Sequence, residues 1–195
     1  MILASPSNNT NKRIDQISNC EQVHLNNGSK LCVYVDIRDS DWNSFVTDAK
    51  SRCLRAAEAS FALVGDKRKE SEASILLAND EFVQALNVRY RGVDQPTNVL
   101  AFAASDSLTF NIEGAPVQLG DIIIARETVL VESMQQSKKI TNHLSHLIIH
   151  GMLHLMGFNH KSHREAVRME QLETNILATL GIDNPYESRL TKTEL

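Results

Sequence analysis

The chain has 195 residues, of which 42% are hydrophobic and 23% are charged, and its formal net charge is −4. These values are ordinary for a single globular domain and exclude a general attraction to nucleic acid, so any RNA-binding surface has to be a local basic patch. No apolar run is long enough for a membrane-spanning helix and no signal peptide is visible, which predicts a cytoplasmic protein without a membrane partner. The three cysteines include no C-x-x-C pair, and this favours free thiols over a disulfide framework or a cysteine-based zinc site.

The N-terminal half is predicted to begin with an extension. Residues 1–29 are rich in polar types and are predicted to be disordered, whereas residues 30–195 are predicted to form one domain. Apolar residues alternate over 31–37 and indicate a strand. They then recur at helical spacing over 42–61 and indicate an amphipathic helix, and a second strand is predicted at 74–78.

Helices and strands continue to alternate in the second half of the chain. Asn79 or Asp80 can cap a short helix that ends near Tyr90, and the segment 91–98 contains Gly and Pro and is predicted as a loop. Two further strands and a helix are predicted at 99–103, 121–125 and 126–138.

Two more helices complete the predicted fold. Thr141 or Asn142 can cap the first, which Gly157 ends, because glycine commonly follows the C-terminus of a helix. Ser162-x-x-Glu165 is a capping box and predicts the start of the second helix. We therefore predict an α/β (α+β) fold in which about five helices cover a small mixed sheet of about four strands.

The most informative stretch is a histidine cluster at 150–160. Residues four apart lie on the same side of a helix, so His150 and His154 can direct their rings to one point. Gly157 allows the chain to turn back, and His160 can then supply a third nitrogen. Three neutral imidazoles plus water form an open, catalytic zinc site, whereas a structural zinc is usually closed by a fourth protein ligand. The sequence thus predicts one zinc ion per chain, on a helix and the turn after it, in a metal-dependent hydrolase domain.

A metalloprotease is an alternative, because H-x-x-x-H-x-x-G-x-x-H is also the histidine spacing of the metzincin proteases. Those proteases have a catalytic glutamate directly after the first histidine, where this chain has Gly151. Glycine cannot accept a proton, and peptide hydrolysis needs a base.

The histidine stretch resembles the H-G-x-L-H-L-x-G-Y-D-H signature of the bacterial YbeY family of endoribonucleases. The segments LNVRYRGVDQPTNVLAF at 86–102, LGDIIIA at 119–125 and GIDNPY at 181–186 are similar to further family motifs and occur in the family's order. The resemblance implies a zinc-dependent, single-strand-specific endoribonuclease that matures ribosomal RNA at the 16S 3′ end and acts in ribosome quality control. It also implies association with the small ribosomal subunit, and no DNA substrate is expected. A non-catalytic ribosome assembly factor with a bound metal is the second alternative.

The resemblance assigns roles to particular side chains. Arg91 matches the family's motif arginine and is the candidate for a catalytic phosphate clamp, while His150 is both ligand and catalytic residue. Apart from the resemblance, Lys161 flanks the histidine helix and is a candidate for substrate binding within a local basic patch, with an ordinary solvated face as the alternative. The other members of that patch are Lys138, Lys139, His163 and Arg164.

Two residues are candidates for hydrogen bonding to a ligand histidine. Asn159 stands where the family usually has Asp, and it either tunes a ligand histidine or forms the turn before His160. Asp121 either bonds a ligand histidine or starts a strand, and His146 either lines the cleft or lies in the core. The sequence does not indicate the general base.

Overall fold

A five-stranded mixed sheet lies at the centre of the computed structural model, which describes residues 21–24, 30–66, 70–104 and 115–187. Its order is β1-β2-β3-β5-β4. The three central strands β2, β3 and β5 are parallel to one another, and the edge strands β1 and β4 are antiparallel to β2 and β5. The strands are β1 (Glu21–His24), β2 (Lys30–Ile37), β3 (Ser71–Ala78), β4 (Val99–Ala103) and β5 (Val117–Ala125). The predicted α/β class with a small mixed sheet is confirmed.

Strand β1 lies within residues 1–29, for which the sequence predicts disorder. It pairs with β2 from Glu21↔Val33 to His24↔Lys30, so the sheet begins earlier in the chain than the predicted domain boundary at residue 30. Hydrogen bonding to a neighbouring strand satisfies the backbone of this polar segment, which carries no strong apolar pattern of its own. The other residues of the predicted extension lie outside the described residues.

Six helices accompany the sheet in the described part of the chain. They are α1 (Trp42–Phe45), α2 (Ala49–Val64), α3 (Asp80–Arg91), α4 (Arg126–Gln135), α5 (Ile140–Leu155) and α6 (His163–Thr179). The single helix predicted over 42–61 is wrong, because Val46 adopts an extended conformation and separates α1 from α2. Trp42, the first residue of α1, anchors this short helix to the sheet. It is fully buried and donates from its indole nitrogen to the carbonyl of Ala78 at 3.0 Å.

The helix termini agree only partly with the sequence signals. Asn79 caps α3 by accepting from the backbone of Phe82, and Ser162 forms the predicted capping box with Glu165. Helix α5 instead begins at Ile140, after Lys139, without a side-chain cap. Helix α3 extends to Arg91, so this residue lies in a helix rather than in the predicted loop.

The two faces of the sheet are covered by different helices. Helices α2 and α5 pack on the face that presents Ile122 and Ile124. Helix α3 packs on the opposite face, against Leu100 and Ile123. Since successive strand residues point to opposite faces, this alternation along β5 determines which polar side chains can reach the histidine helix.

The cysteine prediction is confirmed only in part. Cys53 is free and buried in α2, and burial raises the pKa of its thiol to about 12. Cys32 is disulfide-bonded, contrary to the predicted free thiol. An odd number of cysteines requires only that one stay unpaired, so the count alone could not exclude a disulfide.

No helix of the described residues is long and apolar enough to cross a membrane.

Candidate metal centre

His150, His154 and His160 converge on one point beside the C-terminal end of α5. Their candidate ligand nitrogens all lie within 4.8 Å of one another. The Nε2 atoms of His150 and His154 are 3.1 Å apart, and the ring centres of His154 and His160 are separated by 5.0 Å. The cluster therefore has the dimensions of a site that can hold one metal ion.

Local backbone geometry brings the third histidine back to the helix. Helix α5 ends at Leu155, and Gly157 has a φ of +88°, a left-handed conformation that glycine adopts without strain. The reversed chain places the carbonyl of Phe158 where it accepts a hydrogen bond from Nδ1 of His154 at 3.0 Å. His160 follows two residues later and is exposed to solvent.

The hydrogen bonds determine where the ring protons lie. Nδ1 of His154 donates to a carbonyl, and Nδ1 of His150 donates to the carboxylate of Glu173 at 2.8 Å. Both Nε2 atoms of the neutral rings are then unprotonated acceptors that face each other across 3.1 Å. Two lone pairs at this distance repel each other unless a cation lies between them, so the donor set fits a metal ion.

Electrostatics keep the His154 ring neutral near physiological pH. Burial, together with repulsion from His150 and His160, lowers the pKa of His154 to about 4. Neutral imidazole is the form that binds a metal.

Glu173 on α6 is the central acid of the site and was missed by the sequence analysis. Its side chain is only 1% exposed. It accepts hydrogen bonds from His150 and, at 2.7 Å, from His146, and it contacts the hydroxyl of Tyr186. Burial raises the pKa of Glu173, but the two histidine bonds outweigh it and lower the pKa to about 2. The sequence did contain a signal for this residue: Glu173 lies at helical spacing between the buried residues Met169 and Leu177, so a carboxylate stands on the apolar face of α6.

A cleft of about 680 Å³ opens beside the metal centre. Besides His150, His160 and Glu173, polar residues line it: Asn98, Glu132, Gln136, Lys138, His143, His146, Glu170 and Tyr186. His143 lies seven residues before His150 on α5, about 10 Å away along the helix axis. The metal centre thus occupies only part of a longer polar cleft.

Farther along the cleft, buried His143 and partly exposed Glu132 form a second histidine–carboxylate pair. Nε2 of His143 lies 2.7 Å from the carboxylate of Glu132, which also accepts from the amide of Asn98 at 3.0 Å. Burial raises the pKa of Glu132, but the bonds from His143 and Asn98 outweigh it and lower the pKa below its ordinary value.

Among the described residues, neither residue predicted to tune the ligands is hydrogen-bonded to a ligand histidine. Asn159 is exposed, and its amide donates to the carbonyl of Gly157 at 3.5 Å, a contact within the turn. Asp121 is exposed and alternates with Ile122, so its side chain lies on the face covered by α3, opposite the histidine helix. Among the residues that the structure describes, no hydrogen bond joins Asp121 to a ligand histidine.

The candidate RNA-binding residues are distributed around the site. Lys161 directly follows His160 and is exposed, as is Arg164 on the first turn of α6. Lys138 lines the cleft and donates to the carbonyl of Pro185 at 3.0 Å. Arg91 is exposed at the end of α3 and is not among the lining residues of the cleft.

Comparison with known proteins gives consistent matches. A family model described as Endoribonuclease YbeY matches residues 36–181. A protein of that name from Paramagnetospirillum magneticum is 46% identical over 155 residues, which are 79% of this chain and 94% of that protein. Another from Azorhizobium caulinodans is 45% identical over 152 residues, covering 77% and 92%. A solution structure from Thermotoga maritima covers 82% of the chain and 93% of its own, with a TM-score of 0.49 and 17% identity, a likeness too low to carry a conclusion.

Proposed function

Because the chain belongs to the YbeY family of endoribonucleases and is therefore a hydrolase acting on RNA, we propose that it cleaves single-stranded ribosomal RNA with a zinc ion. His150, His154 and His160 are the proposed ligands. The observation that carries the proposal is the pair of Nε2 atoms of His150 and His154, which face each other across 3.1 Å beside a third histidine.

A zinc ion held by His150, His154 and His160 would supply Lewis-acid chemistry for the hydrolysis of a phosphodiester. The three histidines contribute no negative charge, so an anionic phosphodiester is not repelled by the ligands themselves. His150 is the proposed catalytic residue because, as a metal ligand that also lines the cleft, it would lie next to the reacting phosphate. His160 is exposed and leaves the cluster open toward the cleft.

Positively charged side chains around the cleft are the proposed binding groups for the RNA backbone. Lys161 adjoins the ligand His160, and Lys138 lies in the cleft wall. Arg91 is proposed to hold a more distant phosphate, since its planar guanidinium can bind two phosphate oxygens at once. We propose Lys139, His163 and Arg164 as further members of this patch.

The biological setting follows from family membership. We propose that the protein matures ribosomal RNA at the 16S 3′ end, acts in ribosome quality control in the cytoplasm and associates with the small ribosomal subunit, with no DNA substrate. We also propose residues 30–195 as the hydrolase domain, extended by the strand Glu21–His24.

The protease alternative meets a steric obstacle. Gly151, where a metzincin has its glutamate, is buried, and a Cβ atom added there would lie 2.9 Å from Cδ1 of Ile122. A glutamate at this position would therefore collide with the sheet, and glycine provides no base.

Metal analysis and RNA cleavage test the proposed function together. Purified protein should contain about one zinc ion per chain. His150→Ala, His154→Ala and His160→Ala should each lose most of the metal and of the cleavage of a single-stranded RNA. His163→Ala, which removes a histidine outside the cluster, should keep the metal.

Each alternative gives a different result in these assays. Cleavage of a peptide library but not of RNA would identify a protease. Metal binding without cleavage of either substrate would identify a non-catalytic assembly factor. Full metal retention in all three alanine variants would refute the proposed ligand set.

A further inference from the structure

We propose that Glu173 is the positioning residue of the metal centre: it fixes the ring of His150 in the orientation and tautomer that bind the metal, and His146 and Tyr186 hold Glu173 in place. The inference rests on the proposed metal site at His150, His154 and His160.

One carboxylate connects all the groups involved. Oε1 of Glu173 is 2.8 Å from Nδ1 of His150, and Oε2 is 2.7 Å from Nε2 of His146. Oε2 also contacts the hydroxyl of Tyr186, which lies 3.2 Å from Nε2 of His146. Glu173 is 1% exposed, so water has almost no access to compete for these bonds.

Donor and acceptor rules make the arrangement selective. An ionised carboxylate only accepts hydrogen bonds, so His150 has to donate from Nδ1. The neutral ring then keeps its lone pair on Nε2, the atom that faces Nε2 of His154. Without the carboxylate, a neutral imidazole can place its proton on Nε2 and cannot bind a metal there until it loses or moves that proton.

His146 contacts the other oxygen of the same carboxylate. It donates from Nε2 to Glu173, while its Nδ1 is buried and has no hydrogen-bond partner among the described residues. A proton placed on Nδ1 would be a buried donor without an acceptor, which is costly. His146 is therefore a fixed donor to Glu173.

The network extends the metal centre beyond the histidine motif. Glu173 lies on α6, and Tyr186 lies in the segment that follows this helix. A buried carboxylate without partners is strongly disfavoured, and three donors remove this penalty and restrict the carboxylate to one orientation. Glu173 also places a negative charge next to a ligand, which strengthens the donation of His150 to a bound metal.

The protein contains its own matched control. Glu132 and His143 form a carboxylate–histidine pair between α5 and a neighbouring helix, with a separation of 2.7 Å against 2.8 Å for Glu173 and His150. The Glu132 side chain is 27% exposed, whereas that of Glu173 is 1% exposed. His143 is not one of the three clustered histidines. Loss of this carboxylate therefore tests the effect of a broken carboxylate–histidine pair on the same helix without touching a ligand.

Competition with a chromophoric chelator measures the zinc affinity of the full-length protein. Glu173→Gln should weaken zinc binding by roughly 10–100-fold, the scale of lost partners to ligand histidines. Glu132→Gln should stay within about threefold of wild type, well below that scale. Tyr186→Phe should weaken binding in the same direction by a smaller factor. Cobalt-substituted Glu173→Gln protein should also show an altered visible spectrum, because the ligand ring is reoriented.

A second measurement uses only the wild-type protein and therefore tests the proposal even if the Glu173→Gln variant does not fold. Nitrogen NMR of the metal-free wild-type protein should show His150 protonated on Nδ1. Protonation on Nε2 would overturn the proposal even if Glu173→Gln does not fold, and so would equal zinc affinities of Glu173→Gln and Glu132→Gln. If the wild-type protein binds no zinc at all, the proposed function itself fails.

Discussion

At the scale of single residues, Asn159 is the departure from the family signature that lies next to a ligand. Its amide bonds the carbonyl of Gly157, while Nδ1 of His150 and of His154 are already bonded to Glu173 and to the Phe158 carbonyl. We therefore expect Asn159→Asp to change zinc affinity by less than about threefold, well below the effect of a lost ligand partner. Chelator competition with both proteins measures this. A tightening of about tenfold would instead show that position 159 tunes a ligand.

Arg91 offers a second test at this scale. Since it is exposed and lies outside the cleft lining, Arg91→Ala should leave the zinc content unchanged. It should lower kcat/KM for RNA by roughly tenfold or more, mainly through KM, because a charge-assisted phosphate contact is lost. The loss should shrink at high salt, since contacts with phosphates are screened.

Two variants control the Arg91 measurement. Arg91→Lys should restore part of the activity, because an ammonium keeps the charge but lacks the planar fork. Arg89→Ala removes a neighbouring arginine whose guanidinium lies over the Tyr90 ring at 5.4 Å, and it should have the smaller effect. If Arg89→Ala and Arg91→Ala lower kcat/KM equally, Arg91 contributes only general positive charge and has no specific role in phosphate binding.

At the scale of secondary-structure elements, the close contact between α5 and β5 depends on Gly151. A Cβ at this position would lie 2.9–3.0 Å from three side-chain atoms of Ile122. Gly151→Ala should therefore destabilise the metal-free protein by about 1–3 kcal/mol, the usual range for overpacking a core. Denaturant unfolding measures this.

A double variant identifies the cause of that destabilisation. Ile122→Val removes the nearest atom, Cδ1, so the double variant should be more stable than the sum of the two single effects predicts. Additive effects would show that Gly151→Ala acts on something other than this contact.

At the scale of the whole molecule, acid should destabilise the metal-free protein in two steps. The pKa of His154 is about 4 in the folded protein against an ordinary value of 6.5, and that of Glu173 is about 2 against 4.5. For both groups the unfolded chain binds protons more readily than the folded protein does. The contribution of His154 is present above pH 6.5 and is lost as the pH falls toward about 4. The contribution of Glu173 is lost at lower pH, from 4.5 down to about 2.

Urea unfolding of chelator-treated protein at about pH 7 and pH 5 isolates the first step. Stability should fall between these pH values in the wild-type protein. It should fall less in His154→Gln, because glutamine does not titrate. An identical fall in both proteins would assign the acid sensitivity to other groups.

The local features of this protein could be read from its sequence. The period of a helix places His150 and His154 on one side, and Gly157 marks the reversal that returns His160 to them. Short apolar runs identified β4 over its full length and the buried part of β5, because a strand covered on both faces is apolar at successive positions. Each of these inferences depends on residues fewer than about a dozen positions apart.

Only the tertiary structure decided how distant segments meet. Glu173 is 23 residues from the histidine to which it is bonded, and its side chain reaches that ring because α6 packs on α5. The strand β1 exists by pairing with β2, and Asp121 is turned away from the metal helix by the register of β5. Such contacts depend on how whole elements pack against each other. The hydrophobic pattern of a sequence indicates which face of an element is buried, but it does not indicate which residues of other elements contact that face.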